Sequence, residues 1–389
     1  MKVVDLFCGA GGLSAGLKQA GFQTIFANEI NSTYASTFKI NHPDVNVLTQ
    51  DIRDVPDSFF YKILEDFSEV DLVAGGPPCQ GFSINAPIRS LDDERNHLFK
   101  EFMRVVDIIR PKAVVIENVT GIVSLGRGTI VEQIYKNLQD MNYKVDHKIL
   151  FAGHYGVPQM RFRTVFIAYR DFEGDIVFPS PKYNSVAVAN FTGAKKLCMA
   201  LDPLFASSLC DQVGVGSVFG DLPSVEDFKS GNTAYISAPM NNYQKYLREG
   251  SDNVASHFSP RISGINQERL KHIPIGGSWR DIPFHLLPDG LKRARRSDHT
   301  KRYGRLNPES LASTILTKCD PHWGSFFHPF EDRVISVREA ARIQSFQDKY
   351  LFLGSMTEQY EQVGNAVPPI LAREVGMVVK EALEGTKNV

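Results

Sequence analysis

Three side chains with catalytic or ligand-binding chemistry each follow a short apolar run. Cys79 comes directly after Gly75 to Pro78, a Gly-Gly-Pro-Pro segment, while Glu29 and Glu117 close two other runs. Two prolines stiffen the backbone before the thiol. A thiolate in such a polar loop is a nucleophile when nearby donors lower its pKa. A lone cysteine is more often a small buried apolar residue, so both interpretations stay open for Cys79 on its own.

A glycine-rich segment stands near the N-terminus, in Asp5 to Leu13. Such a turn between a strand and a helix lets the backbone approach a ligand closely. Ser14 stands where a third glycine would complete G-x-G-x-x-G, which weakens a dinucleotide interpretation. Glu29, at the end of the next predicted strand, has the chemistry to accept hydrogen bonds from the ribose of an adenosine-containing cofactor. The alternative is a turn that serves only sheet packing.

The elements that must position these residues alternate between strand and helix. This alternation predicts an α/β fold with a doubly wound, mostly parallel sheet. Ligands bind such sheets beyond the carboxyl ends of the strands, where Glu29, Cys79 and Glu117 are all expected. The predicted strands are Lys2 to Leu6, Thr24 to Ala27, Val70 to Ala74 and Ala113 to Ile116, and the predicted helices are Leu13 to Ala20 and His97 to Ile109.

The alternation of strands and helices stops between about Phe178 and Pro329, where prolines separate short, irregular segments. This predicts a smaller, irregular domain rich in strands and loops. Helical pattern returns at Ser336 to Phe346 and at Ile370 to Leu383, the second after a proline pair that suits a helix start. We therefore expect a catalytic and cofactor-binding domain at 1–180, completed by 355–389, a second domain at 181–330, and a connecting segment at 331–354.

Composition sets broad limits on the class of protein. The 389 residues are 43% hydrophobic and 22% charged, with a formal net charge of -1, which is typical of a globular protein. A nucleic-acid binder of this charge must cluster its basic residues. The five cysteines include no C-x-x-C pair, so neither a disulfide framework nor a metal site is expected. No signal peptide or membrane-length apolar run is evident, which predicts a cytoplasmic protein without membrane contact.

Six ordered segments of the chain resemble motifs of the DNA (cytosine-5) methyltransferase family, in its prokaryotic modification type. Six collinear motifs are far more specific than any one of them, and only about 180–300, the family's variable target-recognition part, lacks a match. In chain order the segments are Asp5 to Leu13, Pro77 to Gln80, Glu117 to Val119, Gln159 to Arg163, Arg333 to Phe346 and Gly364 to Pro369.

The resemblance implies a reaction and a role for each catalytic residue. The thiolate of Cys79 would add to carbon 6 of cytosine, so that carbon 5 attacks the methyl group of S-adenosylmethionine and S-adenosylhomocysteine is released. Glu117 would hold or donate a proton at ring nitrogen 3, a task that suits a carboxyl group. Arg163 would bond the carbonyl oxygen of the base, and Arg161 would support the site.

The same resemblance implies a cofactor pocket built from both ends of the chain. The C-terminal helix must then return to pack on the first domain. The implied cofactor residues are Phe7, Gly9, Ala10, Gly12, Glu29, Ile30, Asp51, Ile52, Pro78, Leu98, Asn365, Ala366 and Val367.

Double-stranded DNA is the expected partner, and the target base must leave the duplex to reach Cys79, at a cost of a few kcal/mol. Contacts to phosphates and grooves must offset that cost. Ser83 and Asn85, just beyond the catalytic cysteine, are candidates near the flipped base. A basic run is the candidate phosphate-binding surface, with a solvated charged face as the alternative: Lys292, Arg293, Arg295, Arg296, Lys301, Arg302 and Arg305.

Three rival functions remain to be weighed. An RNA methyltransferase acting on transfer RNA would share the scaffold, although Gly81 to Ser83 and the long irregular segment favour DNA. A catalytically silent DNA-binding regulator is disfavoured by the complete catalytic set, and a nicotinamide oxidoreductase by the glycine spacing. The chain is expected to act as a monomer that protects sites from a restriction endonuclease, without forming a stable complex with that nuclease.

Overall fold

A single mixed sheet of seven strands organises the first part of the chain. The structure is a computed structural model that describes residues 1–78, 97–123, 128–186, 188–189, 197–198, 201–225 and 233–385. Its strands are β1 Lys2–Leu6, β2 Gln23–Asn28, β3 Asn46–Leu48, β4 Leu72–Gly75, β5 Ala113–Asn118, β6 Tyr143–Phe151 and β7 Phe162–Arg170. The order is β3-β2-β1-β4-β5-β7-β6. Strands β1 to β5 run parallel to one another, whereas β7 is antiparallel to both β5 and β6. The predicted doubly wound, mostly parallel sheet is confirmed.

The central strands are apolar on both faces because helices cover both sides of the sheet. Val3, Val4 and Leu6 of β1 are fully buried, as are Leu72 to Ala74 of β4. At the carboxyl end of β4, a Cβ atom on Gly75 would lie 2.3 Å from the carbonyl oxygen of Leu6. Glycine at this position therefore permits the close approach of β1 and β4 beside the expected ligand edge.

Among the described residues, five α-helices lie between these strands: α1 Gly12–Gln19, α2 Ser32–Asn41, α3 Asp57–Phe67, α4 His97–Ile109 and α5 Thr129–Asp140. Helix α4 has the bounds that its periodicity predicted. Its Phe102, Val105 and Val106 are fully buried in one apolar core with Phe60 of α3 and Ile134 of α5. That core fixes the strand ends from which the site residues project.

The C-terminal helix α12, Pro369–Gly385, packs against α1. Contact is close because a Cβ atom on Gly16 would lie 2.3 Å from the Pro369 carbonyl oxygen. A Cβ atom on Gly376 would likewise lie 2.8 Å from the side chain of Ala20. The predicted return of the last helix to the N-terminal part of the chain is confirmed.

The chain divides into two compact units. The first unit comprises 1–155, 162–210 and 367–389, and the second comprises 156–161 and 211–366. These bounds differ from the predicted domains, because 181–210 belongs to the first unit, and 156–161 and 331–366 belong to the second. There, Arg342 forms buried ion pairs with Asp221 at 2.5 Å and with Asp348 at 2.6 Å. Such buried pairs tie the stretch predicted to be a connecting segment to earlier loops of the second unit.

Short, irregular elements fill the rest of the described chain, as the proline-rich pattern predicted. Those between 183 and 211 are β8 Tyr183–Asn184, β9 Val188–Ala189, β10 Leu197–Cys198, α6 Pro203–Ala206 and β11 Cys210–Asp211. Those of the second unit are β12 Thr233–Ala234, α7 Asn242–Leu247, β13 Asn253–Val254, α8 Gly264–Leu270, α9 Asp289–Lys292, α10 Val337–Ile343 and α11 Met356–Asn365. None of the helices in the described ranges has the length and apolar character needed to cross a bilayer.

Candidate active site

The glycine-rich turn after β1 adopts the conformation that its sequence requires. Gly9 and Gly11 have φ of 55° and 93°, in the left-handed region that favours glycine. Phe7 also has a positive φ, 57°, which is strained for a side chain of this size and marks a functional turn. Ala10 and Gly12 follow as buried residues that lead into α1. The turn thus lies at the carboxyl end of β1, where ligands bind sheets of this kind.

Glu29 links this turn to the start of α2. Its carboxylate accepts hydrogen bonds from the N–H of Gly9 at 2.9 Å and of Asn31 at 2.8 Å. Burial raises the pKa of Glu29, and these backbone donors oppose the rise. The Ile30 N–H also acts on this carboxylate, so three backbone donors hold Glu29, and about one of its four acceptor positions remains for a ligand hydroxyl. Ile30 beside it is 64% exposed, which offers an apolar surface. An acceptor beside an exposed isoleucine fits the ribose and adenine of S-adenosylmethionine.

Asp51 and Ile52, two further predicted cofactor residues, are held by contacts within the first unit. The Asp51 carboxylate accepts bonds from Arg53 Nε at 3.0 Å and Nη2 at 2.6 Å, and also from the Arg53 backbone N–H. Ile52 is 2% exposed, with its side chain in the core. The Ile52 carbonyl oxygen accepts from Arg104 Nη2 at 2.9 Å, and a role for Asp51 and Ile52 beside the cofactor stays a prediction.

The Gly-Gly-Pro-Pro segment is described as far as Pro78, which is half-buried. The Asn118 side chain donates to the carbonyl oxygen of Pro77 at 2.9 Å, so it anchors this segment to the end of β5. A Cβ atom on Gly76 would lie 3.1 Å from the Glu117 carboxylate, which explains glycine there. Leu98 is half-buried against the core. The predicted nucleophile Cys79, together with Ser83 and Asn85, lies outside the described residues.

Glu117 and Arg163 form the central ion pair of the site. Arg163 Nε lies 2.5 Å from Glu117 Oε1, and both side chains are largely enclosed, at 13% and 12% exposure. Antiparallel pairing of Glu117 with Val165 makes Arg163 its diagonal neighbour on the same face of the sheet. Burial lowers the pKa of Arg163, while the Glu117 charge opposes that change. Arg163 also donates from Nη1 to the Phe162 carbonyl oxygen at 2.9 Å, which further holds the guanidinium group in place.

Arg161, two positions earlier, belongs to the second unit and is 1% exposed. Its Nη2 donates to the carbonyl oxygens of Gly364 at 2.9 Å and Ala366 at 2.8 Å. These carbonyls end α11, where helix acceptors lack intrahelical partners and a cation is favoured. Asn365 is exposed on the segment that Arg161 holds. Arg161 therefore holds the segment 364–366, which contains the predicted cofactor residues Asn365 and Ala366 and leads into Val367.

A buried amide pair that sequence reasoning missed reinforces the same turn. Gln344 Nε2 donates to the carbonyls of Val363 at 2.8 Å and Ala366 at 3.1 Å. Gln159 in turn donates to Gln344 Oε1 at 2.7 Å and accepts from the Ile315 N–H at 2.9 Å. Gln159 begins the segment Gln159 to Arg163, which resembles a family motif, and that resemblance is the one sign in the sequence that the residue matters. No pattern in the sequence links it to Gln344.

Asp5 is a second group that sequence reasoning left without a role. It is fully buried beneath the glycine turn and accepts from the Ser14 hydroxyl at 2.6 Å. Burial raises the pKa of Asp5 to about 7, with the Ser14 hydrogen bond opposing the rise. Ser14, which stands where a dinucleotide motif would have its third glycine, is thus the hydrogen-bond partner of the buried Asp5 carboxyl group.

The basic run of the second unit is partly committed to internal contacts. Lys292 pairs with Asp289 at 2.9 Å, and Arg305 pairs with Asp332 at 2.6 Å. Arg296 donates to the Arg280 carbonyl at 3.0 Å. Arg293, Arg295 and Lys301 are exposed, and Arg302 is half-buried. A role for these residues in binding DNA stays a prediction.

Comparisons with known proteins identify the family to which the chain is similar. The profile of the family described as C-5 cytosine-specific DNA methylase matches residues 1–381. Type II methyltransferase M.AgeI of Thalassovita gelatinovora is 32% identical, over 98% of this chain and 100% of its own length. Type II methyltransferase M.DdeI of Desulfomicrobium norvegicum is 35% identical, over 96% of this chain and 87% of its own.

A solved structure extends the likeness to the fold. A prophage-encoded protein of E. coli, classed as a DNA modification methyltransferase, superposes with a TM-score of 0.73. It is 25% identical, and the match covers 99% of each chain.

Proposed function

The chain belongs to the C-5 cytosine-specific DNA methylases, and on that premise we propose how its residues divide the reaction. It is a DNA (cytosine-5) methyltransferase related to bacterial type II modification enzymes. The observation that supports the division most directly is the enclosed Glu117–Arg163 pair, beside the Gly-Gly-Pro-Pro segment that leads to Cys79.

Cys79 acts as the nucleophile on a cytosine turned out of the duplex. Its thiolate forms a sulfur–carbon bond at carbon 6, and the electrons of the 5,6 double bond make carbon 5 nucleophilic. After carbon 5 has gained its methyl group, loss of the proton on carbon 5 restores the double bond and expels the Cys79 thiolate.

Glu117 and Arg163 stabilise the charge that develops on the cytosine ring. Addition at carbon 6 raises the electron density at ring nitrogen 3 and at the carbonyl oxygen. Glu117 holds a proton at nitrogen 3, and Arg163 donates to the oxygen. Because the two side chains already hold each other in place, little reorganisation is needed when the base arrives.

Residues at the glycine turn hold S-adenosylmethionine, which when bound supplies a methyl group on positively charged sulfur. Glu29 accepts from a ribose hydroxyl, and Ile30 packs on the adenine. Phe7, Gly9, Ala10 and Gly12 present backbone groups, while Asn365 and Ala366 are held for this purpose by Arg161 and Gln344. The remaining predicted cofactor residues complete this pocket.

The bacterial type II relatives support a modification role, in which methylation protects a site from a restriction endonuclease. DNA from cells that express the chain is expected to carry 5-methylcytosine in one recurrent sequence context. Bisulfite sequencing measures this directly, with the Cys79→Ala variant as the matched control. Duplex DNA and transfer RNA supplied with labelled methyl donor then separate the DNA enzyme from its RNA-acting rival. Soluble enzyme that labels only RNA, or no cytosine in DNA, would contradict the proposal.

A further inference from the structure

Two segments of the second unit, 301–304 and 320–325, pair closely through their backbones. The Tyr303 N–H donates to the Pro321 carbonyl at 2.6 Å, and the Gly304 N–H donates to the Gly324 carbonyl at 3.3 Å. The Ser325 hydroxyl also donates to the Lys301 carbonyl at 3.1 Å. The end of the basic run is therefore fixed against a loop that follows it by some twenty positions in the sequence.

A series of rings leads from the interior to the surface at this junction. Tyr303 is 4% exposed, and its hydroxyl lies 3.3 Å from His322 Nδ1. The His322 and Trp323 rings meet edge to face, with centroids 5.0 Å apart. The Arg302 guanidinium carbon lies 5.1 Å from the centre of the Trp323 ring. The Trp323 ring thus lies at the surface beside the Arg302 guanidinium group, and its contact with His322 connects it to the buried Tyr303.

Trp323 is 58% exposed, which is unusual for so large an apolar side chain. The chain's other tryptophan, Trp279, is 4% exposed and donates from Nε1 to the His299 carbonyl. A fixed, exposed indole next to a guanidinium group has the chemistry of a nucleic-acid contact. The cation meets phosphate, and the ring packs against a sugar or base.

Charge decides between a nucleic acid and a protein as the partner of this surface. Lys301, Arg295 and Arg293 are exposed in the stretch that leads into it. Basic groups beside an aromatic ring complement the phosphate backbone of DNA, whose neutralisation releases counterions. The basic groups outnumber the neighbouring acids, Asp298 and Asp320, so this surface suits a polyanion better than a protein surface of mixed charge.

We propose that Trp323 and Arg302 form a contact element that binds the duplex DNA substrate. The proposal rests on the DNA methyltransferase function and adds the residues that engage the duplex. Arg302 binds a phosphate while the Trp323 indole packs in the adjacent groove. Lys292 and Arg305, which are paired with acids, contribute less than Arg302.

Tryptophan fluorescence tests this element directly, because the chain has only two tryptophans. The full chain is titrated with the duplex that bisulfite sequencing identifies as its target. DNA should quench the exposed indole, and Trp323→Phe should abolish that quenching while the Trp279 emission remains. In fluorescence anisotropy with labelled duplex, Trp323→Ala and Arg302→Gln should each raise the Kd about tenfold. Their affinity for S-adenosylmethionine should stay unchanged.

Phe284→Ala is the matched control, since Phe284 is an aromatic residue of the same unit and is 69% exposed. This variant should bind DNA like the wild type. Unchanged Trp323 emission at saturating DNA, a wild-type Kd for Trp323→Ala, or quenching by transfer RNA but not by DNA would each overturn the proposal. Methyl transfer by the wild type is measured separately, so a failure of the proposed function is distinguishable from a failure of this contact.

Discussion

At the residue scale, the site depends on two opposite charges that share an enclosed space. Arg163 and Glu117 face each other at 2.5 Å, and burial lowers the pKa of Arg163 against the opposing Glu117 charge. Breaking an enclosed pair on one side leaves the other charge without compensation. The pair therefore fixes both side chains before the substrate binds, and each keeps hydrogen-bonding capacity toward a base.

Replacement of Glu117 tests its role in proton management. Glu117→Gln keeps the shape of the side chain but cannot hold an acidic proton. We expect single-turnover methyl transfer to slow by about a hundredfold or more, the scale of general acid–base catalysis. The Kd for S-adenosylmethionine, measured by equilibrium dialysis, should change little. Glu268→Gln, at a surface acid paired with Lys271, should keep the wild-type rate. A wild-type rate for Glu117→Gln would exclude Glu117 from the reaction.

Asp5 predicts a pH dependence of stability. Its pKa rises from 3.8 to about 7 on folding because the carboxyl group is buried. Between these values the unfolded chain is ionised and the folded chain keeps the proton. The free energy of unfolding therefore falls as pH rises through this window and levels off above it.

Asp5→Asn should remove that part of the pH dependence, which is on the order of a few kcal/mol. The measurement is denaturant unfolding of wild type and variant across the same window. Asp44→Asn, at an exposed carboxylate, is the control and should keep the wild-type slope. Parallel pH profiles for the wild type and Asp5→Asn would contradict the buried proton.

Glu117 and Arg163 could be nominated from sequence because each sits in an ordered motif, and Glu29 because it ends the strand after the glycine-rich turn. Their contacts were not predictable. The Glu117–Arg163 pair requires β7 to lie antiparallel beside β5, and strand order is decided by the packing of the whole sheet. The engagement of Asp51 by Arg53 was also hidden, since it depends on local turn geometry.

At the element scale, the packing of α1 against α12 joins the two ends of the chain within the first unit. Gly16 and Gly376 allow the helices to approach, because a Cβ atom at either position would meet the opposite helix. The glycine turn that begins α1 thereby depends on residues near the C-terminus. Helix α12 follows directly after the turn that carries Asn365.

Gly16→Ala should destabilise the protein by about 1–3 kcal/mol, although alanine favours helices, because the new methyl group meets backbone. Thermal or denaturant unfolding measures the change. Gly385→Ala is the matched control at the end of α12, where a Cβ atom has nothing within 4 Å. It should be neutral or slightly stabilising. Equal stability of the two variants would contradict the close packing of α1 and α12.

Elements with strong periodicity were predicted well from sequence. Helix α4 matches its predicted bounds because an amphipathic run of that length ends before Pro111. Strand β5 extends two residues past its predicted end, to Asn118, because antiparallel pairing with β7 continues there. Short elements such as α7 and α9 were missed, since a single helical turn has too few residues to show a period.

At the scale of the whole molecule, charged networks decide how the second unit is assembled. Arg342 is fully buried between Asp221 and Asp348, and Arg338 donates to the carbonyls of Ala255 and Tyr350. Glu339 is held by Arg333, which keeps the pKa of Glu339 at about 2 against the effect of burial. The partners Asp221 and Ala255 lie far from Arg342 and Arg338 in sequence, so no local pattern assigns 331–354 to the second unit.

The central claim is that Cys79 attacks cytosine in DNA and leaves only after the proton on carbon 5 is lost. A long mixed-sequence duplex in which 5-fluorocytosine replaces cytosine has no such proton, so the adduct cannot be resolved after methyl transfer. With S-adenosylmethionine present, we predict a protein–DNA band that survives a denaturing gel. Cys210→Ala, at an exposed free cysteine, should retain that band, and Cys79→Ala should lose it. A Cys79→Ala band as strong as that of the wild type would contradict the account.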